Sequence, residues 1–350
     1  MRKGAGRLLA AVAALFVCAS CSAVKEMGRG GTGRVSGAPV HAQGKGEALP
    51  AGGAVGVAAT LLWSEPGPKR ECDEPLLSAP NDPEAWAGGL DLEGRLWLVG
   101  RAETMALFGE PVSVLRREGD WLLVAAVNQK TSRRREGYPG WVPASHIVYS
   151  EVFLKDLEQR PGVLVASPRA YLYADASLSR PLMALSYATR LPLIGEGGGS
   201  VAVRLPDGSA GYLSRESVKK EGEISFSREG LIKDAGQFLG VPYIWAGTAS
   251  FGFDCSGFCF RLYQLQGIQI PRDADEQAEA GAPVPLSELL PGDLVFFAGE
   301  GGRGEIHHVG VYAGGGTMIH APNSRSAVRV DPIDAGPYAA GLCRARRYAP

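Results

Sequence analysis

Neither sign of charge dominates this chain. It carries 36 Lys and Arg against 37 Asp and Glu, a formal net charge of -1. A balanced chain without a long basic run gives no electrostatic footprint for nucleic acid, so no nucleic-acid partner is expected. Long apolar runs are also missing. The stretch Leu8–Val17 is shorter than the roughly 20 residues that span a bilayer. Cysteine is scarce, at 6 in 350 residues. That number cannot staple a large chain, so an apolar core must hold it together. Hydrophobic residues make up 45% of the sequence, enough for a core in each of two or three domains.

The N-terminus reads as a targeting segment. Arg2, Lys3 and Arg7 precede the apolar stretch, and Ala19-Ser20 then leads into Cys21. Residues 1–21 are expected to be a signal peptide of lipoprotein type with Cys21 lipidated, although Cys18 stands where such sites usually carry Leu. Plain secretion is the alternative. Either implies export to the bacterial cell envelope, with a membrane partner only through the lipid. In that oxidising compartment at most one disulfide could form among Cys72, Cys259 and Cys343. Residues 22–53, rich in Gly, Ala and Ser, read as a flexible linker.

Three units follow. Over 54–150, short apolar runs such as Leu61-Leu-Trp63, Pro111-Val-Ser-Val-Leu115 and Trp121-Leu-Leu-Val alternate with Gly/Asp turns, interrupted by a Pro-rich excursion. This spacing predicts a small β-barrel. Arg133–Arg135 reads as a solvated loop tip, with a grip on anionic wall polymer as the functional alternative. Residues 151–222 repeat the grammar, with Gly162-Val-Leu-Val, Ala170-Tyr-Leu-Tyr and Val201-Ala-Val as strands. From 223 the pattern changes. A helix capped by Ser227 is expected, then a second starting at Cys255, then strands at 293–297, 308–312 and 317–320. Helices followed by strands predict an α+β unit with helices on one face of an antiparallel sheet.

The chemistry concentrates at Trp245-Ala-Gly-Thr-Ala-Ser-Phe-Gly-Phe-Asp-Cys-Ser-Gly257. A thiol in the first turn of a helix faces unpaired N–H groups and the positive end of the dipole, which favour thiolate, the attacking form. A hairpin turn at Gly314–Gly316 would set His308 directly opposite His320 on one face. His308 can then serve as base and His320 as its orienter. His307, one residue away on the opposite pleat, is the alternative base. Cys259, one turn past Cys255, reads as a small buried apolar residue rather than a redox partner.

At these residues the chain resembles the NlpC-type cell-wall cysteine peptidases. The resemblance runs over about 227–350 and rests on Pro242-Tyr243-x-Trp245-x-Gly247, Phe253-Asp254-Cys255-Ser256-Gly257, Pro291-Gly-Asp-Leu, His308-Val-Gly-Val-Tyr and Ile319-His320-Ala. It implies a papain-like fold, Cys255 as nucleophile, His308 as base, His320 as the third, polar member, Tyr243 lining the site, and Asp254 and Ser256 touching substrate. Ala246 stands where the family often has Gly; a methyl there is expected to be harmless. Ahead of it, Gly-Asp-Trp121-Leu-Leu-Val and Gly-Trp141-Val resemble bacterial SH3-like domains. The whole arrangement is similar to the γ-D-glutamyl-L-diamino-acid endopeptidases (dipeptidyl-peptidase VI). That resemblance implies two SH3-like β-barrels, at 54–150 and 151–222, followed by an α+β papain-like cysteine peptidase domain at 223–350. It also implies recognition of the free amine of L-Ala-γ-D-Glu by Tyr138 and Glu103, and a substrate contact at Asp273. Ala274 replaces a more usual Ser. The structural alternatives are barrel packing for Tyr138 and a solvated charge for Glu103.

The expected function is therefore an exported cysteine peptidase that cleaves between γ-D-Glu and a diamino acid in peptidoglycan stem peptides, with no cofactor and no metal. The competing readings are a hydrolase of intact wall anchored by its SH3-like units, a non-catalytic wall-binding lipoprotein, and an amidase or acyltransferase built on the same fold.

Overall fold

The computed structural model describes residues 50–67 and 69–349. The expected signal peptide, the lipidation site Cys21 and most of the expected linker lie outside the described residues. The first strand begins at Gly52, inside the stretch assigned to the linker. Among the described residues no helix is long and apolar enough to cross a membrane.

Seven strands between Gly52 and Val148 form one antiparallel sheet. Counted in chain order they lie as 3-2-6-5-4-1-7. Seven more between Gly162 and Lys220 lie, counted within their own unit, in the same order 3-2-6-5-4-1-7. The repeat inferred from weak pattern similarity is thus a repeat of topology. Strand Ala59–Trp63 is buried on both faces, which explains its unbroken apolar run. Leu62 points into the unit's own core with Val112, Leu122, Val124 and Val142. Leu61 and Trp63 point outward against Leu76, Trp86 and Leu98 and against Ile244 and Phe251 of the third unit.

The Pro-rich excursion is not irregular. It holds helices Glu74–Leu77, Pro83–Gly89 and Leu92–Trp97. Asp82 and Asp91 cap the last two by accepting from Ala85 N and Gly94 N at 2.9 and 2.7 Å. Helices of four to seven residues are too short to show a 3.6-residue period, so sequence periodicity missed them. A fourth unexpected helix, Glu151–Gln159, is capped by Ser150 and buries Phe153 where the two sheet units meet.

In the third unit Ser227 caps helix Arg228–Gly236, its Oγ accepting from Gly230 N at 3.1 Å. Helix Cys255–Leu265 follows and buries nearly all its length. The sheet has six antiparallel strands, in the order Ala282–Pro283, Leu342–Arg347, Leu294–Ala298, Ile306–Gly314, Thr317–His320 and Arg329–Pro332. Only the three apolar ones were expected. Leu342-Cys-Arg-Ala-Arg-Arg347 and Arg329-Val-Asp-Pro332 carry too much charge to announce themselves. Val309, Val311 and Ile319 pack with Phe258, Cys259 and Leu262, seating the sheet on the Cys255 helix.

Two local expectations are corrected. Ala246 has φ of +67°, a left-handed conformation in which Cβ crowds the following carbonyl at roughly 1–2 kcal/mol. The family glycine there serves the backbone, and the methyl is not free of cost. The hairpin register also differs. Val311 pairs with Ile319 and Tyr312 with Met318, and a bulge then sets Gly314 against Thr317. Extending that ladder puts Gly310, not His308, opposite His320, because the turn lies at Gly315-Gly316, beyond the centre at Gly314, and the bulge takes back only part of that shift.

Candidate active site

A cleft of about 500 Å³ opens between the first sheet unit and the third unit, and its walls include Cys255, Tyr243, Asp254, Ser256, Tyr138, Glu103, Asp273 and His307. Seven of the expected site residues therefore share one cavity, although they come from two units of the chain. His308 and His320 sit deeper, 4% and 0% exposed.

Helix geometry places the thiol. Asp254 is the N-cap, with Oδ1 accepting from Gly257 N at 2.6 Å, and Cys255 opens the first turn. A Cβ on Gly257 would stand 2.2 Å from the Gly247 carbonyl oxygen. Glycine is thus required for the loop to lie against the start of the helix. Trp245 anchors that loop to the first unit through Nε1–H donated to Ala102 O at 2.9 Å. In the structure Cys72, Cys255, Cys259 and Cys343 are all thiols. Burial pushes the Cys259 thiol far up, the behaviour of an inert core residue.

His308 and His320 are joined Nε2 to Nδ1 at 2.6 Å. Their contact is diagonal, and Gly310 makes it possible. A Cβ at 310 would meet Met318 Sδ at 2.6 Å and His320 Cβ at 3.2 Å. With nothing there, the His308 ring leans across to His320. Tyr338 stacks on His308 at 5.6 Å between centroids. Burial, and then the neighbouring His320, push His308 well below the usual imidazole range, so it is neutral and has a lone pair to accept a proton. Burial holds His320 down at about 4, against the pull of Asp331. His307 is the extra residue where the ladder jumps from Phe297–His308 to Ala298–Ile306. This bulge turns it toward the cleft, which strict alternation along the strand did not anticipate.

Across the cleft, Tyr138 Oη donates to Asp273 Oδ2 at 2.9 Å. Arg133 Nη1 donates to Tyr138 Oη at 3.0 Å and pairs with Glu103. Glu103 is therefore not a bare solvated charge, and Tyr138 is not only packing. Burial, then the Asp273 charge, push the Tyr138 hydroxyl far up, so it stays a donor. Burial raises Asp273 to about 6 even beside Arg272.

Sequence reasoning missed three residues. Arg272, 1% exposed, donates to Asp254 Oδ2 at 2.6 Å, Ser256 Oγ at 2.8 Å and Thr104 Oγ1 at 2.8 Å. It locks the N-cap of the Cys255 helix to the first unit. Its signal was its place between Pro271 and Asp273. Arg133 is drawn into the cleft because its loop is docked, with Glu276 Oε1 accepting from Ser132 N at 2.7 Å and Lys130 O accepting from Arg272 N at 3.0 Å. Arg133, Arg134 and Arg135 are all exposed, as a solvated tip requires; the expectation missed only that Arg133 is held by Glu103 and Tyr138 at the cleft. The third is Asp331, whose Oδ2 lies 3.1 Å from His320 Nε2. Nothing in Arg329-Val-Asp-Pro332 pointed to it.

Comparison with known proteins agrees with this geometry. Residues 240–347 match the NlpC/P60 family, and residues 165–220 match the YKFC SH3b2 domain. The chain is 40% identical over 302 residues to a Gamma-D-glutamyl-L-lysine dipeptidyl-peptidase of Bacillus cereus, covering 85% of this chain and 90% of that protein. It is 34% identical to the protein of the same name from Bacillus subtilis, over 82% of this chain and 95% of that one. A crystal structure of an NlpC/P60 family protein from Bacillus cereus superposes with a TM-score of 0.81 at 39% identity, covering 85% of this chain and 100% of that one.

Proposed function

The chain belongs to the NlpC/P60 family and is a cysteine peptidase that hydrolyses peptidoglycan; from that premise we propose that it cleaves the bond between γ-D-Glu and a diamino acid in stem peptides whose N-terminal L-Ala is free. The relatives named for γ-D-glutamyl-L-lysine support the choice of bond. The observation that carries the free amine is the direct Tyr138–Asp273 contact, made across two units in the cavity that also holds Cys255.

In this reading the substrate ammonium settles among Glu103, Tyr138 and Asp273 and displaces Arg133. The buried Tyr138 hydroxyl and the half-buried Glu103 and Asp273 carboxylates are satisfied by a cation and left unpaired by an N-acylated or glycan-linked stem, which would also clash. The γ-carbonyl carbon then lies over Cys255. His308 takes the thiol proton, and sulfur attacks. N–H groups at the helix start, Cys255 N–H among them, receive the oxyanion. The protonated His308 gives its proton to the departing amine of the diamino acid, leaving a thioester on Cys255. Water, activated by His308, hydrolyses it and frees L-Ala-γ-D-Glu. Tyr243 lines the wall, while Asp254 and Ser256 are held against the substrate by Arg272. His307 also faces the cleft, so replacing each histidine in turn separates the two candidate bases. His308→Ala is expected to abolish turnover and His307→Ala to leave most of it.

We assign the first sheet unit to the SH3-like class because its strand order repeats that of the second, and the third unit to the papain-like class. The divisions at 54–150, 151–222 and 223–350, the envelope location and the Cys21 anchor belong to the same proposal. Its test is kcat/KM on L-Ala-γ-D-Glu-L-Lys against the N-acetyl form. A drop of about a hundredfold or more on acetylation supports the amine clamp; equal rates on both remove it.

A further inference from the structure

The two imidazoles do not end the chain of hydrogen bonds that begins at the base. Strands Ile306–Gly314, Thr317–His320 and Arg329–Pro332 are consecutive neighbours in the sheet. His320 pairs with Arg329 and Met318 with Asp331, so Asp331 sits diagonally from His320, as His308 does on the other side. The three side chains follow one another at 2.6 Å (His308 Nε2 to His320 Nδ1) and 3.1 Å (His320 Nε2 to Asp331 Oδ2). Arg329 Nε and Nη2 donate to the same Asp331 oxygen at 2.8 and 2.7 Å.

We propose that Asp331 is a positioning residue that fixes the tautomer of both histidines, and so decides which nitrogen of His308 is left free to accept the thiol proton. With His308 as base, as proposed above, donors and acceptors decide the matter. An ionised carboxylate only accepts. The hydrogen of a neutral His320 is therefore on Nε2, and its Nδ1 carries a lone pair. That lone pair must be met by a hydrogen on His308 Nε2. His308 Nδ1 is then the bare nitrogen, fixed before substrate arrives. Without the carboxylate, His320 has two tautomers of similar energy. In the wrong one, His308 keeps its hydrogen on Nδ1 and cannot act as base. Arg329 opposes the effect, since it draws the carboxylate charge away from His320.

The test is direct and does not depend on a variant folding. Two-bond 15N–1H spectra of the histidine-labelled enzyme at neutral pH should show both His308 and His320 protonated on Nε2. Protonation on Nδ1 in either ring overturns the proposal. Kinetics supply the second arm. Asp331→Asn should lower kcat about 10- to 1,000-fold with KM changed less than about threefold, and Asp331→Glu should recover part of the loss. The groups around the relay are His307 on its own strand, Arg329 and Asp331 on the outer strand, Tyr338 from the following turn, and Cys255. Removing the carboxylate takes away an interaction that favours the charged rings, so the acid limb of kcat/KM should move to lower pH. Arg329→Gln removes a repulsion and should move it to higher pH. A merely structural Asp331–Arg329 pair would shift neither limb, and both variants would then lose activity alike, contrary to the proposal. Cys255→Ala separates the two claims. If it is inactive while Asp331→Asn keeps full kcat, only the relay fails; if Cys255→Ala is itself active, the cysteine reading fails and takes the relay with it.

Discussion

The two sheet units share a strand order but meet the third unit in different ways. The second buries only apolar and neutral or singly charged contacts against it: Leu164, Tyr187 and Ala188 pack into its core, Ser250 N donates to Ser186 Oγ at 2.9 Å, and Tyr187 Oη donates to Asp234 at 3.1 Å, while its ion pairs to Glu223 lie at the exposed junction. The first reaches it through buried charge. Arg272 ties Asp254 to Thr104, and Arg261 of the Cys255 helix pairs with Glu110. The difference traces to two connections. In the first unit the link from its second strand to its third runs from Trp63 to Ala102 and carries three helices; in the second unit it runs only from Tyr173 to Pro181. The fifth-to-sixth link runs from Ala126 to Tyr138 in one and from Arg204 to Ala210 in the other. A common scaffold was put to different use by lengthening loops: Glu103 and Tyr138 stand at the starts of the strands those loops lead into, and Arg133 lies within one of the loops.

The largest effect that could break this contrast is on stability. Glu110→Ala leaves Arg261 of the third unit buried without its carboxylate from the first, and should cost about 3–5 kcal/mol in denaturant unfolding. Tyr187→Phe, at the second unit's interface, removes one hydrogen bond and should cost about 1 kcal/mol. Equal costs would mean that the two interfaces are alike.

Next comes activity. Tyr138→Phe takes a donor from the cleft and should lower kcat/KM on the free-amine tripeptide about tenfold, equivalent to roughly 1.4 kcal/mol, while Tyr187→Phe leaves it unchanged. If both variants lose activity equally, the first unit has no special part in recognition.

The contrast also explains what could be read in advance. Cys255 at a helix start, the two histidines and the topology repeat were legible because each leaves a local pattern. The diagonal geometry was not. A count centred on Gly314 misses both the turn's true place at Gly315-Gly316 and the bulge between Tyr312 and Gly314, and the histidines still meet because the net displacement is two residues, which preserves the face. Asp331 and Arg272 were hidden for a different reason. Each acts through partners far away in sequence, and a single charged residue in a polar run carries no period. The contact of Arg133 with the cleft was missed because the docking of its loop depends on Glu276, 144 residues from Ser132.

A smaller effect concerns pH. Asp273 titrates at about 6, and only its ionised form attracts an ammonium. KM for the free-amine substrate should therefore rise about threefold or more as pH falls from 7 to 5, and Asp273→Asn should flatten that limb. The stability side has its own sign. His320 titrates at about 4 folded and near 6.5 unfolded. The unfolded chain therefore binds more protons in this window, and stability is lost as pH falls from about 6.5 to 4. Asp273, raised to about 6, works the other way over the same window, so thermal melts of the Asp273→Asn variant that do not fall across that range would contradict a neutral, buried relay.

The most direct measurement is mass spectrometry of the enzyme quenched during turnover and mapped by peptide. With L-Ala-γ-D-Glu-L-Lys the account predicts a thioester of L-Ala-γ-D-Glu on the peptide carrying Cys255, and none with the N-acetylated substrate. An adduct on Cys72, Cys259 or Cys343, or equal labelling of Cys255 by both substrates, would contradict it.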